Sequence, residues 1–289
     1  VDAFITSNTT ADPSRAGQVK KVTQLKGLID DVDGQLDYIV TMVPEGRHVK
    51  LVVQTLVEAY KKTGTSQRTI IADSSTIDIP TSREIHDYVK KELPNFDFID
   101  TPVSGGVAGA RKGTLSFMLS RAELKDIDEG LSTLIKKMGK NIFPCGSNHG
   151  AGLAAKLSNN YLLAITNMAV ADSFQLAKSL GLDLQAYARL VAVSTGKSWA
   201  SVDNCPIAGV YPAELQMPAD VGFKGGFITK LTRKDLTLAM TCADLAGRLL
   251  FLGDLGQYWY DKACEDEDIA NRDLGVLYEW LENIDTRSK

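Results

Sequence analysis

A lysine and an asparagine at helical spacing are the pair of residues in this chain best suited to proton transfer. Lys156 and Asn160 are four residues apart in a predicted helix, so they share one face of it. The positive end of the helix dipole and partial burial both disfavour a cation there, which lowers the pKa of the lysine. An amine with a lowered pKa can act as a general acid or base. The alternative is a lysine whose stem is buried while its ammonium reaches water.

A glycine-containing turn could bind an anion. Ser104, Gly105 and Gly106 follow a predicted strand that ends at Asp100. Because these residues carry little or no side chain, their backbone amides can point at an anion such as a carboxylate. An ordinary flexible turn has the same composition, so the turn alone does not decide between the two interpretations.

Two nucleotide-binding motifs are excluded by their spacing. Gly196-Lys197-Ser198 resembles the end of a phosphate-binding loop, but position 191 is Val191 where that loop needs glycine. The dinucleotide fingerprint G-x-G-x-x-G does not occur in the chain. The glycines between positions 105 and 109 have the wrong spacing for it.

The composition is that of an average globular chain. Its 289 residues suggest two domains, and 44% apolar with 24% charged residues exclude a disordered or collagen-like chain. The net charge is −4, and no basic tract is present. We therefore expect neither a nucleic-acid partner nor a membrane partner.

The cysteines and the most apolar segment exclude further classes of protein. The four cysteines are widely spaced and contain no C-x-x-C pair, so we expect no metal site and no disulfide framework, as in a reducing compartment. Residues 153–180 are apolar but are interrupted by Lys156, Asn167 and Asp172, among others, which makes them too polar to span a bilayer. No targeting segment is visible.

The first half of the chain alternates between strand and helix patterns. Strands are predicted at residues 1–6, 38–43, 69–72 and 96–100, with short strands around 117–119 and 142–143. Helices are predicted from Asp12-Pro13 onward and at residues 49–60 and 82–91. Such alternation indicates a parallel sheet, in which ligands bind beyond the carboxyl ends of the strands.

The second half of the chain is predicted to be all helical. Residues 153–180 are apolar on nearly every face, which is typical of a helix buried on all sides, and Gly181 suits its end. Further helices are predicted at residues 184–193, 234–252, 256–265 and 274–281. We expect one domain over residues 1–150, a second over residues 151–289, and a homo-oligomer formed through the apolar helix.

Taken in order, several segments resemble the β-hydroxyacid dehydrogenase family. The matching stretches are residues 39–44, 73–78, 100–110, 152–160, 196–201 with Pro206, and 225–227 leading to 234–236. The segment around Trp199 is most similar to the branch that oxidises 3-hydroxyisobutyrate. The resemblance implies an α/β fold with a Rossmann-type doubly wound sheet, lacking its first strand, followed by an all-α domain. Residues 1–150 would form the dinucleotide-binding domain, N-terminally incomplete, and residues 151–289 the substrate and dimerisation domain.

The resemblance also implies roles for individual residues. Lys156 would be the catalytic lysine, with Asn160 holding the substrate beside it. The substrate carboxylate would be bound by Ser104, Gly105 and Gly106. The cofactor would be lined by Val43, Pro44 and Thr76 and reached by Lys234 from the helical domain.

The implied reaction passes a hydride between the nicotinamide and the carbon that bears the substrate hydroxyl, while Lys156 takes or returns the hydroxyl proton. The expected cofactor is NAD, with NADP as the alternative. The expected substrate is a small 3-hydroxy acid, 3-hydroxyisobutyrate, oxidised to methylmalonate semialdehyde in valine catabolism. The expected location is mitochondrial, or otherwise cytoplasmic.

The sequence departs from the family pattern at several places. Family members open with a strand, the dinucleotide fingerprint and a helix, whereas residues 1–6 match the second strand. The sequence would then be either a fragment of a complete enzyme, which the intact Lys156/Asn160 pair favours, or a shortened relative that binds nucleotide weakly and does not catalyse. A tartronate semialdehyde reductase is a third alternative, and it would differ around Trp199 and Phe227. His48 stands where the family often has asparagine, and Ser120-Arg121 replaces a glycine pair.

Overall fold

The structure is a computed structural model that describes residues 21–30 and 34–284. The predicted strand at residues 1–6, the turn after it and the helix start at Asp12-Pro13 lie outside the described residues. The same holds for residues 6–8, where an acid at the end of the second strand would favour NAD over NADP.

Three parallel strands form the first sheet, and helices connect them. Their order is β1-β2-β3. The elements are Leu25–Asp30 (α1), Tyr38–Thr41 (β1), Gly46–Thr63 (α2), Thr69–Asp73 (β2), Ile79–Glu92 (α3) and Phe96–Asp100 (β3). All five residues of β2 are buried, as expected for a central strand of a parallel sheet. Asp78 caps α3 by accepting a hydrogen bond from the Thr81 amide at 2.8 Å, and Gly64 ends α2 with φ of 64°.

Strands β1 and β2 are direct neighbours in this sheet, with Thr41 opposite Asp73. Helix α2 makes the short crossover because its buried Val49 and Val53 pack with Ile71 in one core cluster.

A second sheet continues from the carboxyl end of the first. It has the order β4-β5-β6, antiparallel between the first two strands and parallel between the last two. The elements are Val103–Ser104 (β4), Gly106–Lys112 (α4), Leu115–Leu119 (β5), Glu129–Met138 (α5) and Gly139–Pro144 (β6). The Met118 amide donates to the Pro102 carbonyl at 3.0 Å, which joins β5 to the chain that leaves β3. The strands around residues 117–119 and 142–143 are thus confirmed, whereas the two-residue β4 was not predicted.

After β6, the regular elements of the described chain are three short 3-10 helices and seven α-helices. The α-helices are Ala151–Ser179 (α6), Leu184–Val191 (α7), Trp199–Val202 (α8), Thr229–Leu245 (α9), Gly253–Ala263 (α10), Glu267–Asn271 (α11) and Leu277–Ile284 (α12). The prediction of one helix over residues 234–252 is wrong at its end, because α9 stops at Leu245 and Gly247 takes φ of 66°. None of the described helices is long and apolar enough to cross a bilayer.

Helix α6 is buried on one side and partly exposed on the other. Ala164 and Phe174 lie in the core with Tyr260, whereas Leu162 and Leu176 are each 61% exposed. The prediction of a helix buried on all sides is therefore wrong within a single chain. Helix α6 packs instead between α9, α10 and α12 on its covered side.

Gly152 lets the start of α6 approach the sheets closely. An added Cβ would collide with the Met118 carbonyl oxygen and lie 2.9 Å from Asp100 Oδ2. We expect Gly152→Ala to lower the free energy of unfolding by about 1–3 kcal/mol, measured by urea denaturation. Ser158→Ala, at an exposed position of the same helix, should change it by less than about 0.5 kcal/mol. Equal stability of the two variants would contradict this close packing.

Candidate active site

Lys156 and Asn160 lie on the buried face of α6 that meets α9. Lys156 is 9% exposed and Asn160 is 2% exposed, and Asp235 of α9, 4% exposed, lies beside them. The predicted common face of the two residues is therefore confirmed. The lysine is not one whose ammonium reaches freely into water, which was the alternative interpretation of the sequence.

The surroundings of Lys156 favour its uncharged form. Burial lowers the pKa of its ammonium, and the neighbouring charge of Lys234 lowers that pKa further. The carboxylate of Asp235 opposes both and raises the pKa of Lys156. Within the described residues, no hydrogen bond reaches Nζ of Lys156. The lysine is thus a buried amine available to exchange a proton with a substrate.

Asp235 holds Asn160 in place. The Asn160 amide nitrogen donates to Asp235 Oδ2 at 2.6 Å, and Asn159 donates to Asn160 Oδ1 at 3.2 Å. The other oxygen of Asp235, Oδ1, lies 3.0 Å from Nζ of Lys234 and has no hydrogen-bond partner of good geometry in the described structure. Sequence reasoning missed this residue, although it stands inside the Lys234-Asp235-Leu236 stretch that matches the family.

Lys234 joins the helical region to the first sheet. Its Nζ donates to the carbonyl of Thr76 at 2.8 Å and to that of Pro44 at 3.3 Å. Pro44 and Thr76 follow the carboxyl ends of β1 and β2, and the amide of Val43 donates to Ser75 Oγ at 2.9 Å. The structure therefore brings together all four residues predicted to line the cofactor.

A buried carboxylate shapes the turn that carries Thr76. Asp73 is 1% exposed at the end of β2, and its Oδ1 accepts from Thr41 Oγ1 at 2.8 Å and from Ser75 Oγ at 2.6 Å. Burial raises the pKa of Asp73 to about 6. Sequence reasoning missed this role because residues 73–78 stood out only as a stretch that matches the family.

The edge formed by Val43, Pro44 and Thr76 suits a nicotinamide dinucleotide. It lies at the carboxyl ends of two adjacent parallel strands, where nucleotides bind in such sheets. His48, in the first turn of α2, carries a buried Nδ1 with no partner among the described residues.

The two glycines of the Ser104–Gly106 turn are exposed and have positive φ angles, which glycine adopts most readily. Gly105 and Gly106 have φ of 126° and 59°, and both are exposed. Ser104 belongs to β4 and pairs with Ser116 of β5. No hydrogen bond within the described chain joins this turn to Lys156 or Asn160, so its role toward the substrate stays a prediction.

Two cavities lie elsewhere on the molecule. One of about 450 Å³ is lined by Arg68, His86 and Lys90, among others, and one of about 670 Å³ by Trp259 and Trp280, among others. Neither is lined by a residue that the sequence predicted for the site. They are therefore separate from the arrangement around Lys156.

Two family models together match most of the chain. Residues 2–146 match the NAD binding domain of 6-phosphogluconate dehydrogenase. Residues 150–281 match a domain described as NAD-binding of NADP-dependent 3-hydroxyisobutyrate dehydrogenase.

Individual relatives agree with these matches. The mitochondrial 3-hydroxyisobutyrate dehydrogenase of Drosophila melanogaster is 35% identical over 85% of this chain and 72% of its own length. The mitochondrial enzyme of Homo sapiens is 33% identical over 89% of this chain and 73% of its own. A solved structure of the Mycobacterium tuberculosis 3-hydroxyisobutyrate dehydrogenase with L-serine superimposes with a TM-score of 0.76 at 32% identity, covering 90% of this chain and 83% of that one.

Proposed function

This chain belongs to the β-hydroxyacid dehydrogenase family of NAD(P)-dependent oxidoreductases, and on that premise we propose that it oxidises 3-hydroxyisobutyrate to methylmalonate semialdehyde. The expected Rossmann-type domain followed by a helical domain agrees with the fold of its relatives. The observation that carries the proposal is the buried amine of Lys156 beside the Asn160–Asp235 pair. A reaction that removes a proton from an alcohol needs such a group.

Lys156 is the proposed acid and base of this reaction. In oxidation its uncharged amine takes the proton of the substrate hydroxyl, and in reduction its ammonium returns that proton. The bound nicotinamide supplies the site that accepts or donates the hydride. Asn160, held by Asp235, orients the hydroxyl toward Lys156. The amides of the Ser104–Gly106 turn hold the substrate carboxylate.

The cofactor is proposed to be held by Val43, Pro44 and Thr76, with Lys234 contributing from α9. We propose NAD, with NADP as the alternative, since residues 6–8, on which the choice depends, lie outside the described structure. Steady-state kinetics with both nucleotides test this choice. A kcat/KM higher with NAD supports it, and one higher with NADP reverses it.

Lys234 offers a test of the cofactor site that leaves Lys156 itself in place. Lys234→Met removes the hydrogen bonds to the carbonyls of Thr76 and Pro44. These bonds hold the segments that follow β1 and β2 against α9. We expect the KM for the cofactor to rise about tenfold, the size expected for loss of charge-assisted hydrogen bonds. Lys230→Met, an exposed lysine of the same helix bonded to Asn271, is the matched control and should leave this KM unchanged. Similar KM values for the two variants would argue against the assigned role.

The substrate is tested by a kinetic screen of small 3-hydroxy acids. The panel contains 3-hydroxyisobutyrate, L-serine and, in the reverse direction, tartronate semialdehyde. The proposal expects the highest kcat/KM with 3-hydroxyisobutyrate. A preference for tartronate semialdehyde would instead place the chain in that branch of the family. Lack of turnover with the whole panel would favour a non-catalytic relative.

The pathway and the location are proposed from the relatives' names, and the oligomeric state is proposed from the exposed face of α6. Oxidation of 3-hydroxyisobutyrate is a step of valine catabolism, and a mitochondrial location is proposed because the fly and human relatives are named as mitochondrial. The exposed Leu162 and Leu176 of α6 support a homo-oligomer. We also propose the division into domains at residues 150 and 151. Cell fractionation tests the location, and light scattering of the purified protein tests the oligomer.

A further inference from the structure

We propose that Ser120 and Asp100 are positioning residues that fix the first turn of the helix carrying Lys156. The inference rests on the proposed function for its consequence in catalysis, but the contacts that carry it are independent of that function. It concerns the place where Ser120-Arg121 stands instead of the glycine pair that the family resemblance implies.

The start of α6 takes its capping groups from outside the helix. Its own cap residue is Gly150, which has φ of 95° and no side chain to offer. The amide of Gly150 donates to Asp100 Oδ1 at 2.9 Å, and that of Leu153 donates to Asp100 Oδ2 at 2.9 Å. Both oxygens of one carboxylate therefore satisfy amides that a helix start otherwise leaves without partners.

Ser120 completes this arrangement. It is 1% exposed, its Oγ donates to Asp100 Oδ1, and the same Oγ accepts from the amides of Gly150 at 3.1 Å and Gly152 at 3.2 Å. One hydroxyl has one proton to donate and two lone pairs to accept with, so its capacity is fully used. A glycine at position 120 would supply none of these contacts.

Arg121 holds Ser120 against the sheet. Its Nη1 donates to the carbonyl of Ser120 at 2.8 Å and its Nη2 to Asp97 Oδ2 at 2.6 Å. Asp97 and Asp100 both belong to β3. The pair Ser120-Arg121 therefore connects the helix start to one strand through two carboxylates.

Because α6 is rigid, the position of its first turn fixes the position of Lys156. Lys156 follows Gly150 by six residues, which corresponds to a rise of about 9 Å along a rigid helix. A helix start that moves would change how far Nζ is buried and how close it lies to Asp235. Misplacement of a reacting group by about 1 Å can cost about a hundredfold in rate.

Ser120→Ala tests the proposal, with Thr69→Val as the matched control. Thr69 is also fully buried and loses a comparable hydroxyl bond, to the Leu36 carbonyl at 2.6 Å, at the opposite end of the sheet. Three readouts are measured for both variants in the full chain: hydrogen exchange at the Gly150 and Gly152 amides, the pKa of Lys156 by NMR titration of its side chain, and kcat with KM.

In Ser120→Ala we expect exchange at the Gly152 amide to be about tenfold faster or more, the size expected for loss of a buried hydrogen bond. The Gly150 amide keeps its bond to Asp100 Oδ1, so its exchange should change less. The pKa of Lys156 should rise toward its ordinary value of about 10.4, because a looser helix start hydrates Nζ. We expect kcat to fall about tenfold or more, with the KM for the cofactor unchanged. Ser120→Thr, which keeps the hydroxyl, should restore much of the protection, and Asp100→Asn should behave like Ser120→Ala.

Unchanged exchange at the Gly152 amide in Ser120→Ala would overturn the proposed contacts. Faster exchange with an unchanged pKa of Lys156 and unchanged kcat would overturn the positioning role, as would equal effects in Thr69→Val. If the unsubstituted protein oxidises no 3-hydroxy acid, the proposed function fails. The exchange and the NMR titration then still decide whether Ser120 positions Lys156.

Discussion

Lys156→Ala is expected to lower kcat for oxidation of 3-hydroxyisobutyrate by about 10²- to 10⁴-fold, the range typical of a lost general acid or base. The affinity for the cofactor should change by less than about threefold, because the proposed cofactor contacts come from Val43, Pro44, Thr76 and Lys234 instead. The measurements are steady-state kinetics and titration of protein fluorescence with the nucleotide.

The same residue predicts the pH dependence. Oxidation requires the uncharged amine, so kcat/KM should rise with pH through the pKa of Lys156. Burial lowers that pKa, so the rise should be centred below lysine's ordinary value of about 10.4. Reduction requires the ammonium and should fall as pH rises through the same pKa. The rising limb of the kcat/KM profile for oxidation should be absent in Lys156→Ala.

Two further variants test whether the loss of turnover is due to loss of proton transfer by Lys156. Lys156→Arg keeps a positive charge but cannot lose its proton near neutral pH, so it should be as inactive as the alanine variant. Lys178→Ala removes an exposed lysine of the same helix that pairs with Glu282, and it should keep full turnover. Retention of activity by Lys156→Arg would show that charge, and not proton transfer, is what the position supplies.

Replacement of Asp235 should have the second largest effect. Asp235→Ala leaves the buried amide of Asn160 without its partner, and we expect kcat to fall about a hundredfold through loss of orientation. Asp235→Asn keeps the shape and removes only the charge. Because the Asp235 carboxylate raises the pKa of Lys156, its removal should move the rising limb of oxidation to lower pH.

A matched substitution controls for general electrostatics. Asp244→Asn removes an exposed carboxylate near the end of the same helix and should leave the limb in place. A limb that moves to higher pH in Asp235→Asn, or that moves equally in both variants, would contradict the assigned interaction. The comparison uses pH profiles of kcat/KM.

The local sequence pattern was sufficient to predict the strands of the first sheet, helix α6 and the helix face that carries Lys156 and Asn160. Alternating and helical periodicities located β1, β2, β3 and α6, and a spacing of four placed Lys156 and Asn160 together. The residues that support this pair could not be predicted. Asp235 is separated from Asn160 by 75 positions and meets it only through the packing of two helices.

The acidic residues at the strand ends also made contacts that the sequence pattern could not predict. Asp73 and Asp100 end two strands at whose carboxyl ends the sequence predicted ligand binding, yet Asp73 binds the turn that follows it and Asp100 binds the start of α6. The outer face of α6 was misjudged because periodicity reports that a residue is apolar, not whether a second surface covers it. The contact between the Ser104–Gly106 turn and a substrate remains a prediction from the family resemblance.

Rescue of Lys156→Ala by added ethylamine is the most direct measurement of the central assignment. The rate of NAD reduction with 3-hydroxyisobutyrate is followed with and without the amine, at several pH values. We predict a rate near background without ethylamine that increases in proportion to the uncharged form of the amine. A variant that turns over at a rate within about tenfold of the unsubstituted protein without amine, and that does not respond to it, would contradict Lys156 as the proton-transfer group.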